Sequence, residues 1–195
     1  MVAKADGPFQ TWADVVKFAK ENPGKLTYAS PGTGTSLHLG MEQIAARDGL
    51  SIRQVPMKGA GESSAAVLGG HVMLQADATN WKALVDSGEL RALMVWTEVL
   101  SKSLPNVPTL KELGYPLVID SPFGIAGPKG MDRAVVAKLH EAFKASLDDP
   151  NVQATLAKFD MVPRYMGPDD YARYVAATVQ SELKELTKLG LAKKD

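Results

Sequence analysis

Apolar residues recur at helical spacing after Thr11: Trp12, Val15, Val16 and Ala19 share one face, Thr11 with Asp14 has the form of a helix start, and Asn22-Pro23-Gly24 ends the run. KLTYA (25–29) is short, partly β-prone and bounded by turn residues, so it predicts a strand. Leu37, Met41, Ile44 and Ala45 then keep helical spacing up to a turn at Arg47-Asp48-Gly49, and SIRQV (51–55) alternates as a strand does. The scheme recurs in kind. A glycine-bearing loop, PMKGAGE (56–62), leads to a small-residue helix closed by Gly69 and Gly70, followed by the strand HVMLQA (71–76), with His71 at its entry. A third loop, DATNW (77–81), precedes a short helix ending at Gly88 and the strand RALMVW (91–96). Strands alternating with helices at this spacing predict βαβ units and a mostly parallel sheet.

The pattern changes near residue 120. A proline-rich connection, LPNVPTLKELGYP (104–116), is followed by LVID (117–120) and FGIAG (123–127), which read as short strands. From Asp132 onward the chain is mainly helical, with Val135, Leu139, Ala142, Phe143 and Leu147 on one face and Tyr171, Val175, Val179, Leu183 and Leu186 on another. Residues 1–120 therefore form an α/β domain with a parallel-rich sheet, and 121–195 look like half of a second, mainly helical one.

Composition narrows the function classes. Lys+Arg and Asp+Glu both number 22 in 195 residues, which removes the basic excess of a nucleic-acid binder. Cysteine is absent, and His38, His71 and His140 never approach a metal-ligand spacing, so thiol chemistry and a bound metal are not expected. No apolar run reaches the roughly 18 residues of a membrane span. MVAKADGPFQ at the N-terminus lacks the apolar centre of a signal peptide, so the chain is expected to carry none.

Candidate chemistry concentrates in the three loops. ASPGTGTSLH (29–38) has no lysine after Gly34, which excludes a Walker loop; it places Leu37 at the third glycine of a dinucleotide fingerprint and His38 at the last glycine of a nucleophile elbow. What remains is a helix N-terminus with unpaired N–H groups, supplemented by the hydroxyls of Ser30, Thr33, Thr35 and Ser36. Such neutral donors suit a small carboxylate. The same residues also suit plain helix capping, and that alternative stays open. Lys58 offers one fixed positive charge beside Gly59, or is a solvated loop lysine. Thr79 and Asn80 either bond a ligand or cap the next helix, and Trp81 reads as core. All three loops sit at carboxyl ends of parallel strands, which direct them to one crevice. His38 fits packing or a supporting role better than general-base work, and no nucleophile–base pair assembles around Asp120 and Ser121.

Five stretches, NPGKLTYASPGTGTSLHL, VPMKGAGESSAAVLGGHV, SGELRALMV, LPNVPTLKELGYP and SPFGIAGPKGMD, resemble in that order the Bug-type solute receptors of tripartite tricarboxylate transporters, over residues 8–190. The resemblance implies a periplasmic-binding-protein type II-like α/β fold, whose two domains close over a small organic carboxylate, either a linear dicarboxylate or an aromatic acid. It also implies no catalysis, no cofactor, periplasmic residence and delivery to a membrane permease. It places Ser30, Gly32, Gly34, Thr35 and His38 in the carboxylate loop, and Ala78, Thr79 and Asn80 at solute-selecting positions. Met57-Lys58-Gly59 stands where the family has Tyr-Lys-Gly, so one aromatic hydroxyl is lost, and Ser121–Gly124 resembles a returning crossover that acts as a hinge.

Family members begin with an export signal and half of the first domain, including an anion loop that faces the ligand from the other side. Against that pattern, residues 1–120 correspond to the complete second domain and 121–195 to the C-terminal half of the first. Weak ligand binding is expected, together with oligomerisation or a rearranged packing of 121–195 that covers its apolar faces. Two other readings are a small hydrolase or transferase using His38 with Ser36 or Ser121, and an interaction module that has lost its ligand.

Overall fold

The computed structural model describes residues 1–98, 100, 103–119, 123–161 and 163–192, and for Thr79 the backbone only. Asp120 and Ser121 lie outside the described residues. The chain divides into two compact units, Met1–Ser121 and Pro122–Asp195.

The first unit is a three-layer α/β sandwich. Its sheet has the order β3-β2-β4-β1-β5, formed by β1 (Val2–Lys4), β2 (Leu26–Ser30), β3 (Ile52–Pro56), β4 (Leu74–Gln75) and β5 (Leu90–Ala92). β2 pairs in parallel with both β3 and β4, whereas β1 lies antiparallel between β4 and β5. Sequence pattern did not reveal β1, because three residues are too few to show alternation. Its identity comes from ladders on both sides, extended by Met1 N donating to Met94 O at 2.9 Å.

Alternation along the strands sorts side chains onto two cores. Met1, Ala3, Leu26, Tyr28, Leu74 and Ala76 face a cluster that also holds Trp12 and Val15 of α1 (Trp12–Glu21) and Leu37, Met41 and Ile44 of α2 (Ser36–Asp48). Val2, Ala29 and Leu90 face the other side, against Ala66 and Val67 of α3 (Ala60–Leu68) and Trp81, just before α4 (Lys82–Asp86). Both large helices have the expected ends. Thr11 and Asp14 form a reciprocal capping box on α1, and α2 starts on Thr35 and stops at Gly49 in the left-handed region. Trp81 is core, as the sequence reading held.

Two expectations are corrected. HVMLQA and RALMVW contribute only Leu74–Gln75 and Leu90–Ala92 to the sheet; Val95 makes an isolated parallel bridge to Thr109 instead. The described residues of LVID and FGIAG form no strand. A strand needs a neighbouring ladder, and the only described pairing of 117–119 is Ile119 N–H to Trp96 O at 3.0 Å.

The second unit contains α5 (Arg133–Ser146), α6 (Pro150–Lys158) and α7 (Pro168–Lys188). Asp132 and Asp149 cap α5 and α6, and proline opens α6 and α7 at positions where the missing N–H costs nothing. His140 Nε2 and the Tyr165 hydroxyl, 2.8 Å apart, tie α5 to the segment before α7. No residue of the three helices is buried. Val135, Leu139 and Phe143 of α5 and Val175, Val179 and Leu183 of α7 are exposed, and Phe123 is 81% exposed.

Candidate functional site

The carboxyl ends of β3, β2 and β4 are adjacent because these three strands are neighbours and parallel: Ser30 is in register with Pro56, and Ala29 with Gln75. Hydrogen bonds lace the following loops together. Met57 N–H donates to Ser30 O at 2.9 Å, Ala76 N–H to Ala29 O at 2.8 Å, and Gln75 Nε2 to Ala60 O at 3.4 Å. Ser30, Gly32, Thr33, Gly34, Thr35, Ser36 and His38, then Lys58 and Gly59, and then Asn80 with the backbone of Thr79 therefore lie along one edge of the first unit.

Loop one is held from below by a residue that the sequence reading missed. Gln54 of β3 donates through Nε2 to Ser30 Oγ at 2.7 Å and to Gly32 O at 3.1 Å, while its Oε1 accepts from Thr33 Oγ1 at 3.1 Å. In the sequence it is one polar residue in an alternating strand, which reads as solvent-facing. Thr35 Oγ1 donates to Gly32 O at 2.9 Å and accepts from His38 N–H at 3.4 Å, capping α2. Gly34 has φ +82, the left-handed region in which a side chain is strained, so glycine suits the turn that leads into α2.

His38 is 6% exposed, and its role is visible. Gly34 N–H donates to His38 Nδ1 at 3.0 Å, so the ring is an acceptor there and carries its proton on Nε2, 3.7 Å from Glu42 Oε1. Burial holds this imidazole below its ordinary value of 6.5, against the opposing pull of Glu42. A neutral histidine that fixes a loop amide is a positioning group. Tyr28 completes the arrangement by donating to Glu42 Oε1 at 3.1 Å. Gly34 N–H is thus already engaged, whereas the N–H groups of Thr33 and Thr35 donate to no acceptor among the described residues.

Loop two presents Lys58, which is exposed and has no carboxylate partner among the described residues. Its own N–H donates to Glu62 Oε2 at 2.8 Å. Loop three rests on buried polar groups. Gln75 Oε1 accepts from Ser64 Oγ at 3.0 Å, and Asp77 O accepts from the indoles of Trp81 at 3.4 Å and Trp96 at 3.2 Å. Among the described residues no buried side-chain polar atom lacks a partner, and no cluster of acidic or histidine residues fits a metal ion. A groove of about 530 Å³ lies elsewhere, against Trp12, Val16, Lys17, Lys20, Leu113 and Tyr115.

A family model described as tripartite tricarboxylate transporter family receptor matches residues 1–191. The chain belongs to that family. Among relatives of this receptor-family chain, a Cupriavidus necator protein named for the gbd 5' region is 50% identical over 193 residues, which cover 99% of this chain and 59% of the relative. Protein BugT of Bordetella pertussis is 33% identical over 165 residues, covering 83% of this chain and 50% of its own length. The chain thus spans about half to three-fifths of these relatives. A solved structure of Rpa4515 from R. palustris with adipate aligns with TM-score 0.88 at 27% identity, over 98% of this chain and 64% of that one. The periplasmic binding protein BugD aligns with TM-score 0.82 at 26% identity, over 99% and 66%. The family is thus one of transporter receptors, and BugD is a periplasmic binding protein.

Proposed function

We propose that the first unit carries one face of a solute site that binds a small organic carboxylate, and that closure of this face against a second one is its mechanism. The observation that carries the reading is loop one: the amides of Thr33 and Thr35, just before α2, donate to no acceptor among the described residues, on a loop pinned by Gln54 and His38. Pre-positioned amides at a helix N-terminus favour an anion, and a neutral His38 leaves Lys58 as the fixed charge beside it. Ser30, Gly32, Gly34, Ser36 and Gly59 shape the face, and Thr79 and Asn80 border it. The neighbour solved with adipate supports a carboxylate ligand, and the resemblance extends the class to aromatic acids. Periplasmic residence, a permease that receives the solute, and correspondence of the two units to a complete second domain and half of a first one belong to the same reading.

The uncovered apolar residues of α5 and α7 support self-association of a chain of this length. Calorimetric titration with adipate and benzoate tests the ligand reading: saturable heat that weakens with a Lys58→Ala change supports it, and absence of heat with both acids refutes it.

A further inference from the structure

The charges along the loop edge are unequal, and that inequality bears on which carboxylates fit. Glu62 stands in the first turn of α3, and its Oε2 already accepts the Lys58 N–H at 2.8 Å. The acceptor position that a ligand oxygen would take on loop two is filled by the protein's own carboxylate. Asp77 is 4% exposed, with Oδ1 on Ala78 N–H at 2.8 Å and Oδ2 facing Gln75 Nε2 at 3.4 Å. Loop two carries the ammonium of Lys58, while the buried Met1 amine, which interacts with Asp77, is held by burial well below its ordinary value, at about 5. Loop one differs: its supporting side chains are the uncharged Gln54 and His38, and Glu42 sits one turn further along α2, behind the His38 ring. Loop one is thus flanked by uncharged groups, whereas loop two carries the exposed carboxylate of Glu62 and Asp77 is buried.

We propose that Glu62 sets the charge selectivity of this face, favouring carboxylates whose far end is uncharged, aromatic acids among them, over dicarboxylates. The inference rests on the carboxylate reading above. Specificity arises here from a repulsive element as much as from an attractive one. A like-charge repulsion of about 1 kcal/mol at a partly wetted surface changes an equilibrium roughly fivefold.

Hexanoate and adipate, equal in carbon number and differing by one charge, are the probes, titrated into the full 195-residue chain and its Glu62→Gln variant. Glutamine keeps an oxygen acceptor for the Lys58 N–H, and an unchanged thermal unfolding curve shows that α3 is kept. The expected result is adipate affinity rising about fivefold in Glu62→Gln with hexanoate affinity constant within about twofold. In the unmodified chain the adipate-to-hexanoate affinity ratio is expected to rise as salt screens the repulsion. A ratio unmoved by both the substitution and salt, or an equal gain for both acids, overturns the role of Glu62 while leaving the carboxylate site standing. Binding of neither acid to either chain removes the carboxylate reading and this inference with it.

Discussion

Replacing Gln54 by alanine removes the pin beneath loop one. Three hydrogen bonds go at once, two donated and one accepted, at 2.7, 3.1 and 3.1 Å. Each contributes about 0.5–1.5 kcal/mol net, and Gln54 is half-buried, so the expected loss is about 1.5–3 kcal/mol. For a unit of this size that lowers the melting temperature by roughly 5–12 °C. The effect on binding has a separate origin. Ordering one backbone residue costs about 1–2 kcal/mol, so a loop that must be re-fixed around its ligand binds about tenfold more weakly. Differential scanning fluorimetry and calorimetric titration on the same preparations measure the two quantities, with Gln54→Glu as a companion that places a carboxylate against Ser30 Oγ and Gly32 O. Unchanged melting and unchanged carboxylate affinity in Gln54→Ala would refute the claim that this side chain preorganises the loop.

Three further outcomes are expected. Gly34→Ala forces a side chain into φ +82, costs about 1–2 kcal/mol, and weakens carboxylate binding at least tenfold, read by urea unfolding and titration. Burial depresses the His38 pKa in the folded state, so the unfolded chain binds the proton more readily; stability from this group is complete above pH 6.5 and declines as pH falls below it, and a His38→Gln variant shows a flatter urea midpoint between pH 7 and about 5.5. Val179→Asp with Leu183→Lys on α7 leaves the melting temperature within about 2 °C, because both residues are exposed, but lowers the apparent mass by light scattering if these faces associate; an equal mass for both chains argues against self-association.

Much of the first unit is legible in its sequence, for identifiable reasons. α1 and α2 announce themselves because their caps, Thr11 with Asp14 and Thr35 with Gly49, agree with their apolar spacing. β2 and β3 emerge because turn residues bound them on both sides. β1 is invisible, since Val2, Ala3 and Lys4 become a strand only through neighbours 70 to 90 residues away. FGIAG fails in the opposite sense: its composition suits a strand, but no described segment pairs with it. At the candidate site, the glycines and hydroxyls of 30–36 stand out as a turn into a helix. Gln54, which holds them, does not, and neither does Gln75 beneath loop three, because both are single polar residues in short strands whose partners are set by register. Glu62 likewise resembles any first-turn acid until its contact with Lys58 is seen.

The central claim is that loop one of the first unit receives a carboxylate. Titrating the isotopically labelled chain with benzoate, while following amide shifts by two-dimensional NMR, tests it most directly. Saturable shifts at Thr33, Gly34 and Thr35, with smaller ones at Lys58 and Asn80, are the predicted result. Shifts confined to the groove at Trp12, Lys17 and Tyr115, or none up to tens of millimolar ligand, a range that weak millimolar binding would saturate, contradict it.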